Sequence, residues 1–529
     1  MEYEDEDYPM RQALQNPVIL QQIFKNGSGS LRNLRLVCHL WNEIAVSLPQ
    51  PILRLGLYKR PYPWHSDSSG KVDCCSGTPF QLFCLKMEPK LARRIIEYGC
   101  KNQDKHPPLL RIAGASSRLL HICDKFSQYV EDLTITFANE DLISTLYETV
   151  ENRCPNLKRL EICLQTDEMN NFDDKIIYSA SQFAISWPKL TSVKILDMTG
   201  QARFLQMTQC ILYSTPNLKY FCYHGKKYPD LSQNLNVKRI KVDLRKMRAS
   251  EIPCCNGPHG LNKMLDQVKD RLQVLCVQND MFDDDLYNDS SDDDMDDDPI
   301  KTEAGRIAFK IPKMKNLKEF RNERLDAFSC GANLQDICAA RLPALETLEI
   351  SKLHHCELDD LLRNIIQKKG YFSGVKVLHL SCVRDPELII RLKTPFPNLE
   401  NLTIVQFGID ENVPFTNVGT VLRSCNSLGL KSLTLDVSIE DIQLSNFIQC
   451  FSNCEKLLIS GLKTLEIIEN GVDDDLDMLV DGVAQMKQIL LQMNSFENTI
   501  IRGIQFKEAT WKWVEAFIQE NKIPVIFHC

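Results

Sequence analysis

Long apolar runs are missing from this 529-residue sequence, and none approaches the roughly 18 consecutive apolar residues that a bilayer-spanning helix needs. The acidic start, Met1 to Met10, has no positive stretch followed by an apolar one, so no export signal is expected. The end, Ile-Pro-Val-Ile-Phe-His-Cys, lacks a prenylation pattern. These absences point to a protein of the cytoplasm, the nucleus or both, with no membrane partner. In that setting the 21 cysteines read as buried thiols, not as a disulfide framework. Asn26-Gly-Ser and Asn401-Leu-Thr then stay unglycosylated.

The signatures of common chemistry are missing too. There is no Gly-rich loop ending in Lys-Ser/Thr, no Gly-x-Ser-x-Gly and no His-Glu-x-x-His. A catalytic role therefore has no residue to rest on, and no enzyme activity is expected. Gly27-Ser-Gly-Ser30 follows no strand and carries no lysine, which makes it a link between helices and not a phosphate cradle. Two groups, His65 with Cys74, Cys75 and Cys84, and Cys254 with Cys255 and His259, lack the regular spacing of zinc ligands. No metal and no other cofactor is expected.

What is present is a globular composition, 43% hydrophobic and 25% charged, enough for a large core. The net charge of -8 is local. Asp280 to Asp298 holds eleven Asp and no Lys or Arg, and setting these aside brings the remainder to +3. Setting aside Glu2, Glu4, Asp5, Glu6 and Asp7 as well brings it to +8. That mild excess favours acidic partners without forming a nucleic-acid surface. Like charges at this density repel and do not bury, so the run reads as a solvated insertion, placed at 279–304. Ser290 and Ser291 sit among its acids in a context resembling acidophilic-kinase sites, which makes them phosphorylation candidates.

Near the start, Asn16 is a capping residue, Pro17 suits a first helical position, and Ile19, Leu20, Ile23 and Phe24 recur at helical spacing. After the Gly-Ser break, Leu31, Leu34, Val37 and Cys38 continue that spacing, followed by Trp41, Ile44 and Ala45. Three short helices are expected, with too little core for comfortable autonomy, so some apolar surface is left for a partner or for the rest of the chain. Asn16-Pro17, Ile23-Phe24 and Leu34-Arg-Leu-Val37-Cys38-His-Leu-Trp41-Asn42 resemble the F-box. The family's Leu-Pro stands here as Asn-Pro, its following Glu is missing, and Gly27-Ser-Gly-Ser30 replaces its next leucine. The resemblance implies docking onto a Skp-type adaptor, and through it onto a cullin-RING ubiquitin ligase.

Behind this module one phrase recurs: apolar, two variable residues, apolar, one variable residue, apolar. It starts at Leu157, Leu190, Leu218, Val237, Leu272, Leu345, Val375, Leu399, Leu430 and Leu462, with Val130 and the degenerate Leu317 extending the set. Many starts lie 24 to 33 residues apart, a solenoid period. The alternation closing each phrase is that of a strand with one buried face, and the rest of each repeat must cover it. Asn139 to Val150 and Glu357 to Lys369 have apolar stripes suited to covering helices; the second places Leu358, Leu361, Leu362, Ile365 and Ile366 inward. A doubly wound α/β domain is the competing architecture, but it requires no recurring phrase. The phrase resembles the leucine-rich repeat, and Cys154-Pro-Asn-Leu157-Lys-Arg-Leu160-Glu-Ile162-Cys163 its cysteine-containing subtype.

The expected fold is thus α/β: a leucine-rich-repeat solenoid, a curved parallel sheet with outer helices, preceded by a small three-helix F-box. Its divisions are an F-box at 12–50, a variable connector or divergent first repeats at 51–127, the solenoid at 128–470 and a cap at 471–529. The resemblance implies a substrate-recognition subunit of an SCF-type ubiquitin ligase; the alternative is a scaffold outside any ligase, its first helices merely capping the solenoid. Adaptor contacts, or their immediate support, would be Pro17, Leu20, Ile23, Phe24, Leu34, Val37, Cys38 and Trp41. On the repeat strands, Arg159, Glu161, Lys194, Tyr220, Arg239 and Lys241 should point outward to a protein substrate. Four bases against one acid favour an acidic or phosphorylated target segment.

Overall fold

A computed structural model of the chain describes residues 14, 16–26, 37–47, 93–97, 119–121, 123–137, 146, 153–164, 186–197, 202–225, 227–243, 257–278, 311–322, 337–350, 358–367, 371–381, 383, 385–406, 424–437, 463–469, 480–494, 496–502 and 506–528. The chain divides into two compact units, Met1–Gly225 with Gln233–Asn236, and Lys226–Ser232 with Val237–Cys529.

Among its described residues the first unit has two short helices ahead of its strands, α1 (Pro17–Asn26) and α2 (His39–Ser47). Five strands follow among its described residues: β1 (Arg94–Glu97), β2 (Asp132–Phe137), β3 (Arg159–Leu164), β4 (Ser192–Asp197) and β5 (Tyr220–His224). Each pairs in parallel with the next in chain order. The phrases at Val130, Leu157, Leu190 and Leu218 each start two residues before a strand, and their later apolar residues form its buried face. Leu133, Ile135, Leu160, Ile162, Val193 and Ile195 are all sealed from water. Parallel neighbours need a crossover between them. Helix α3 (Ala202–Tyr213) provides one between β4 and β5, burying Phe204, Met207, Cys210 and Ile211. Of the helix expected at 139–150, only Leu146 lies among the described residues, helical and buried.

The second unit repeats the scheme. Its strands are β6 (Arg239–Asp243), β7 (Val274–Gln278), β8 (Glu319–Asn322), β9 (Thr347–Ile350), β10 (Val377–Ser381), β11 (Asn401–Gln406), β12 (Ser432–Val437), β13 (Thr464–Glu469), β14 (Asn498–Arg502) and β15 (Val525–His528). They too pair in parallel, in chain order. The eight phrases from Val237 to Leu462 fall on β6 to β13. Helices α4 (Gly257–Val268), α5 (Leu358–Gln367), α6 (Pro386–Arg391), α7 (Val480–Met493) and α8 (Glu508–Asn521) lie in the connections. In α5, Leu358, Leu361, Leu362 and Ile365 are buried, on the stripe the sequence predicts. Helix α6 starts where the Asp385 carboxylate accepts a hydrogen bond from the Glu387 amide at 3.0 Å, with Pro386 in the first turn. Both units are α/β and solenoid-like.

Strands occur on both sides of the expected array. β1 lies within 51–127, and β14 and β15 lie within 471–529, where a cap was expected. Position by position the phrase fails there: Ala92 and Glu97 flank Ile95, Thr499 takes an apolar place, and Lys522 stands where a leucine would.

The turns ahead of the strands are stitched from repeat to repeat. The residue just before the phrase is asparagine in five repeats, and each side-chain amide donates to a backbone carbonyl of the turn before. The bonds are Asn156 to Gln128 (2.8 Å), Asn217 to Pro188 (2.9 Å) and Asn236 to Pro216 (3.1 Å) in the first unit. In the second they are Asn316 to Asp270 (2.6 Å) and Asn398 to Ser373 (2.8 Å). These carbonyls have no strand partner, so the amide satisfies them. Gly374 holds the same place in its repeat, and a Cβ there would meet the Leu345 carbonyl oxygen at 2.7 Å.

Candidate functional site

Two surfaces stand out, and the first is the α1–α2 pair. The Asn16 side chain accepts hydrogen bonds from the Val18 and Ile19 amides at 2.9 and 3.4 Å, capping α1 with Pro17 behind it. Leu20, Phe24 and Ile44 then form a small core against which Leu14, Leu40 and Trp41 pack. Phe24 and Trp41 meet edge to face at 5.3 Å, and the Trp41 indole N–H donates to the Leu14 carbonyl at 3.2 Å. This core holds the helices to each other while leaving other apolar side chains in water: Val18 is 67% exposed, Ile19 39%, Ile23 40% and Val37 58%.

The expected adaptor contacts therefore fall into two groups. Leu20, Phe24 and Trp41 belong to the core, whereas Pro17, Ile23, Val37 and Cys38 face solvent. Leu34 lies outside the described residues, as does most of the second expected helix, while the third, around Trp41, Ile44 and Ala45, is α2. Val18 and Ile19 extend the exposed ridge. Helical spacing had assigned Ile19 to the same stripe as Leu20, and only the packing separates them.

The second surface is the outward face of the strands. In the first unit the register places Arg94, Asp132, Arg159, Ser192 and Tyr220 in one row, and Thr134, Glu161, Lys194 and Cys222 in the next. Arg159, Glu161, Lys194 and Tyr220 are thus brought to one face, as the alternation predicts. Asp132 and Arg94, which sequence reasoning left out, join them. Lys194 pairs with Glu161 at 2.6 Å, and Arg159 Nε lies 3.4 Å from Asp132 Oδ2. Much of the positive charge read from the strands is therefore already partnered. Burial pushes the Asp132 carboxyl above its ordinary value; Arg159 and Arg94 pull it back, and Glu161 and Glu131 add to the rise.

In the second unit Arg239 and Lys241 stand on β6, and the Lys241 row continues through Cys276, Arg321, Glu349 and His379. Arg321 Nε lies 2.5 Å from Glu319 Oε1 and 3.6 Å from Glu349 Oε2, so its charge is more than matched by the two carboxylates. Burial holds His379 below its ordinary value against the opposing pull of Glu349, with Arg321 adding to the lowering. From β11 to β14 the first row is Asn401, Ser432, Thr464 and Asn498, without a charge.

His65, Cys74, Cys75, Cys84, Cys254 and Cys255 lie outside the described residues, and so do Ser290, Ser291 and the acidic run. No group of His, Cys, Asp or Glu among the described residues is placed to hold a metal ion. No described helix is long and apolar enough to cross a membrane. In comparisons with known proteins, no family model matches the chain and no curated protein matches it.

Proposed function

We propose that this chain is a non-catalytic receptor: an F-box protein with leucine-rich repeats whose first helices dock a Skp-type adaptor while the repeat strands hold a protein substrate for a cullin-RING ligase. The observation that supports the docking half is the ridge of Val18, Ile19, Ile23 and Val37, left in water above a core of Leu20, Phe24 and Ile44. A surface of this kind on so small a helical unit marks a contact site. Long repeated strand faces behind it supply a separate grip. The receptor's contribution is effective concentration: a held target's lysines become near neighbours of the conjugating enzyme, and this chain makes and breaks no bond itself.

The ridge, not the core, is the place to test. Truncating Phe24 or Trp41 would dissolve the helix pair and leave the contact question unanswered. Ile23→Lys with Val37→Asp alters only exposed positions, so the fold should survive while capture of a Skp-type adaptor in a pull-down with the full chain falls by about tenfold or more, the desolvation of two charges in an apolar contact being costly. Undiminished capture by the double variant would overturn the reading and favour the scaffold, in which these helices serve the solenoid alone.

A further inference from the structure

The outward face of β1–β3 carries an imbalance that its own ion pairs leave open. Arg94 on β1 and Arg159 on β3 flank the single Asp132 carboxylate on β2, and both address the same oxygen, Oδ2, at 3.8 and 3.4 Å. At 3.8 Å the Arg94 Nε is beyond hydrogen-bond reach of it. That Nε is sealed from solvent and has no hydrogen-bond partner. Two residues along the same face, the Thr134 side chain is nine-tenths buried, and its hydroxyl is likewise without a partner. Buried donors in this state are costly, and a ligand oxygen that reached them would relieve that cost. The neighbouring Glu161, paired with Lys194 at 2.6 Å, makes no hydrogen bond to that hydroxyl. Two guanidinium forks thus share one carboxylate, with donors to spare.

We infer that Arg94, Arg159 and Thr134 form a notch for one anionic side chain of a bound protein segment, a carboxylate or a phosphate group, with Asp132 drawing the two arginines towards one point until that side chain arrives. The inference rests on reading the strand faces as the target-holding part of a receptor, and it adds Arg94, which the sequence pattern does not mark, and Thr134, an outward position of the phrase at Val130. The fit is one of charge and geometry. Guanidinium forks match the two oxygens of a carboxylate or phosphate, and the hydroxyl beside them donates a further bond. Asp132 then has two opposed effects. Its carboxylate orders the forks, and its charge competes with the ligand's. Burial already disfavours that charge, so its removal should help the ligand more than it harms the notch.

This leads to an outcome that a merely structural ion pair would not give. Fluorescein-labelled octaglutamate, a glycine–phosphothreonine peptide of equal charge and neutral octaglutamine are titrated with the full chain at low salt, and anisotropy is read. The two anionic probes should bind and octaglutamine should not; the stronger of the two identifies whether carboxylate or phosphate is the better ligand. Arg94→Gln and Arg159→Gln should each weaken binding about tenfold, the usual scale for losing one charge-assisted contact. Asp132→Asn should tighten it about three- to tenfold by removing a like charge. Should Arg94→Gln fail to fold, Arg159→Gln carries the same test, because the Arg159 side chain is 67% exposed. The inference falls if neither anionic probe binds, if the arginine variants bind as the parent does, or if Asp132→Asn binds equally or more weakly. Adaptor capture, measured on the same variants, is untouched in each of these cases, so failure of the notch is distinguishable from failure of the receptor reading.

Discussion

At Asp132 the energetics of a single residue are open to measurement through pH. A carboxyl whose value is raised in the folded chain favours folding in its protonated form. Its contribution is complete below the unfolded value of about 3.9 and is lost as pH rises through the higher folded value. The parent chain should therefore gain thermal stability relative to Asp132→Asn as pH is lowered from 7 towards 4. A melting-temperature difference that stays flat across that range, or runs the other way, would show that the two arginines outweigh burial. The position of Asp132, two residues after Val130, was legible from the phrase. Its neighbour Arg94 was not, because Ile95 is the one large apolar residue of that repeat's phrase and a single such residue gives no period.

Among the elements, the strands were the most legible part of the fold. Each of the twelve phrases marks a strand starting two residues on, since alternation fixes which side chains go inward and parallel pairing keeps equivalent positions side by side. The asparagine before the phrase carried a message that spacing alone does not reveal, because its partner is a carbonyl some 20 to 46 residues away. Asn398→Ala removes such a stitch and leaves the Ser373 carbonyl to water. A loss of about 0.5–1 kcal/mol is expected, the scale of one solvent-accessible hydrogen bond, read as a lower urea midpoint with an unchanged slope. No change in midpoint would make the stitch incidental. The exposed pairs along the same edge, Glu131–Lys158 at 3.1 Å, Lys318–Glu346 at 3.0 Å and Glu400–Lys431 at 2.8 Å, are screened by solvent and contribute little.

On the scale of the whole molecule, stability in a stack of repeats is a sum of local terms and nearest-neighbour contacts. Within the second unit β8 pairs only with β7 and β9 among the described strands, and Phe320 on β8 is wholly buried. Phe320→Ala should cost about 3–5 kcal/mol. The damage should be local first: amide exchange is expected to accelerate in β7, β8 and β9 well before β12 to β14 respond. Uniform acceleration along the unit would show that it unfolds as one cooperative block.

The sequence alone determined the repeating strand, its inward and outward faces, and the capped first helix, because each depends on the spacing of neighbours along the chain. Only the tertiary structure decided which apolar residues of that helix are spent on its own core and which remain in water. Only it brought Arg94 beside Asp132 and Arg159, and seated the asparagine amides on carbonyls of other repeats. Those relations join residues distant in the chain, and they are set by how strands stack and helices pack, which no local period encodes.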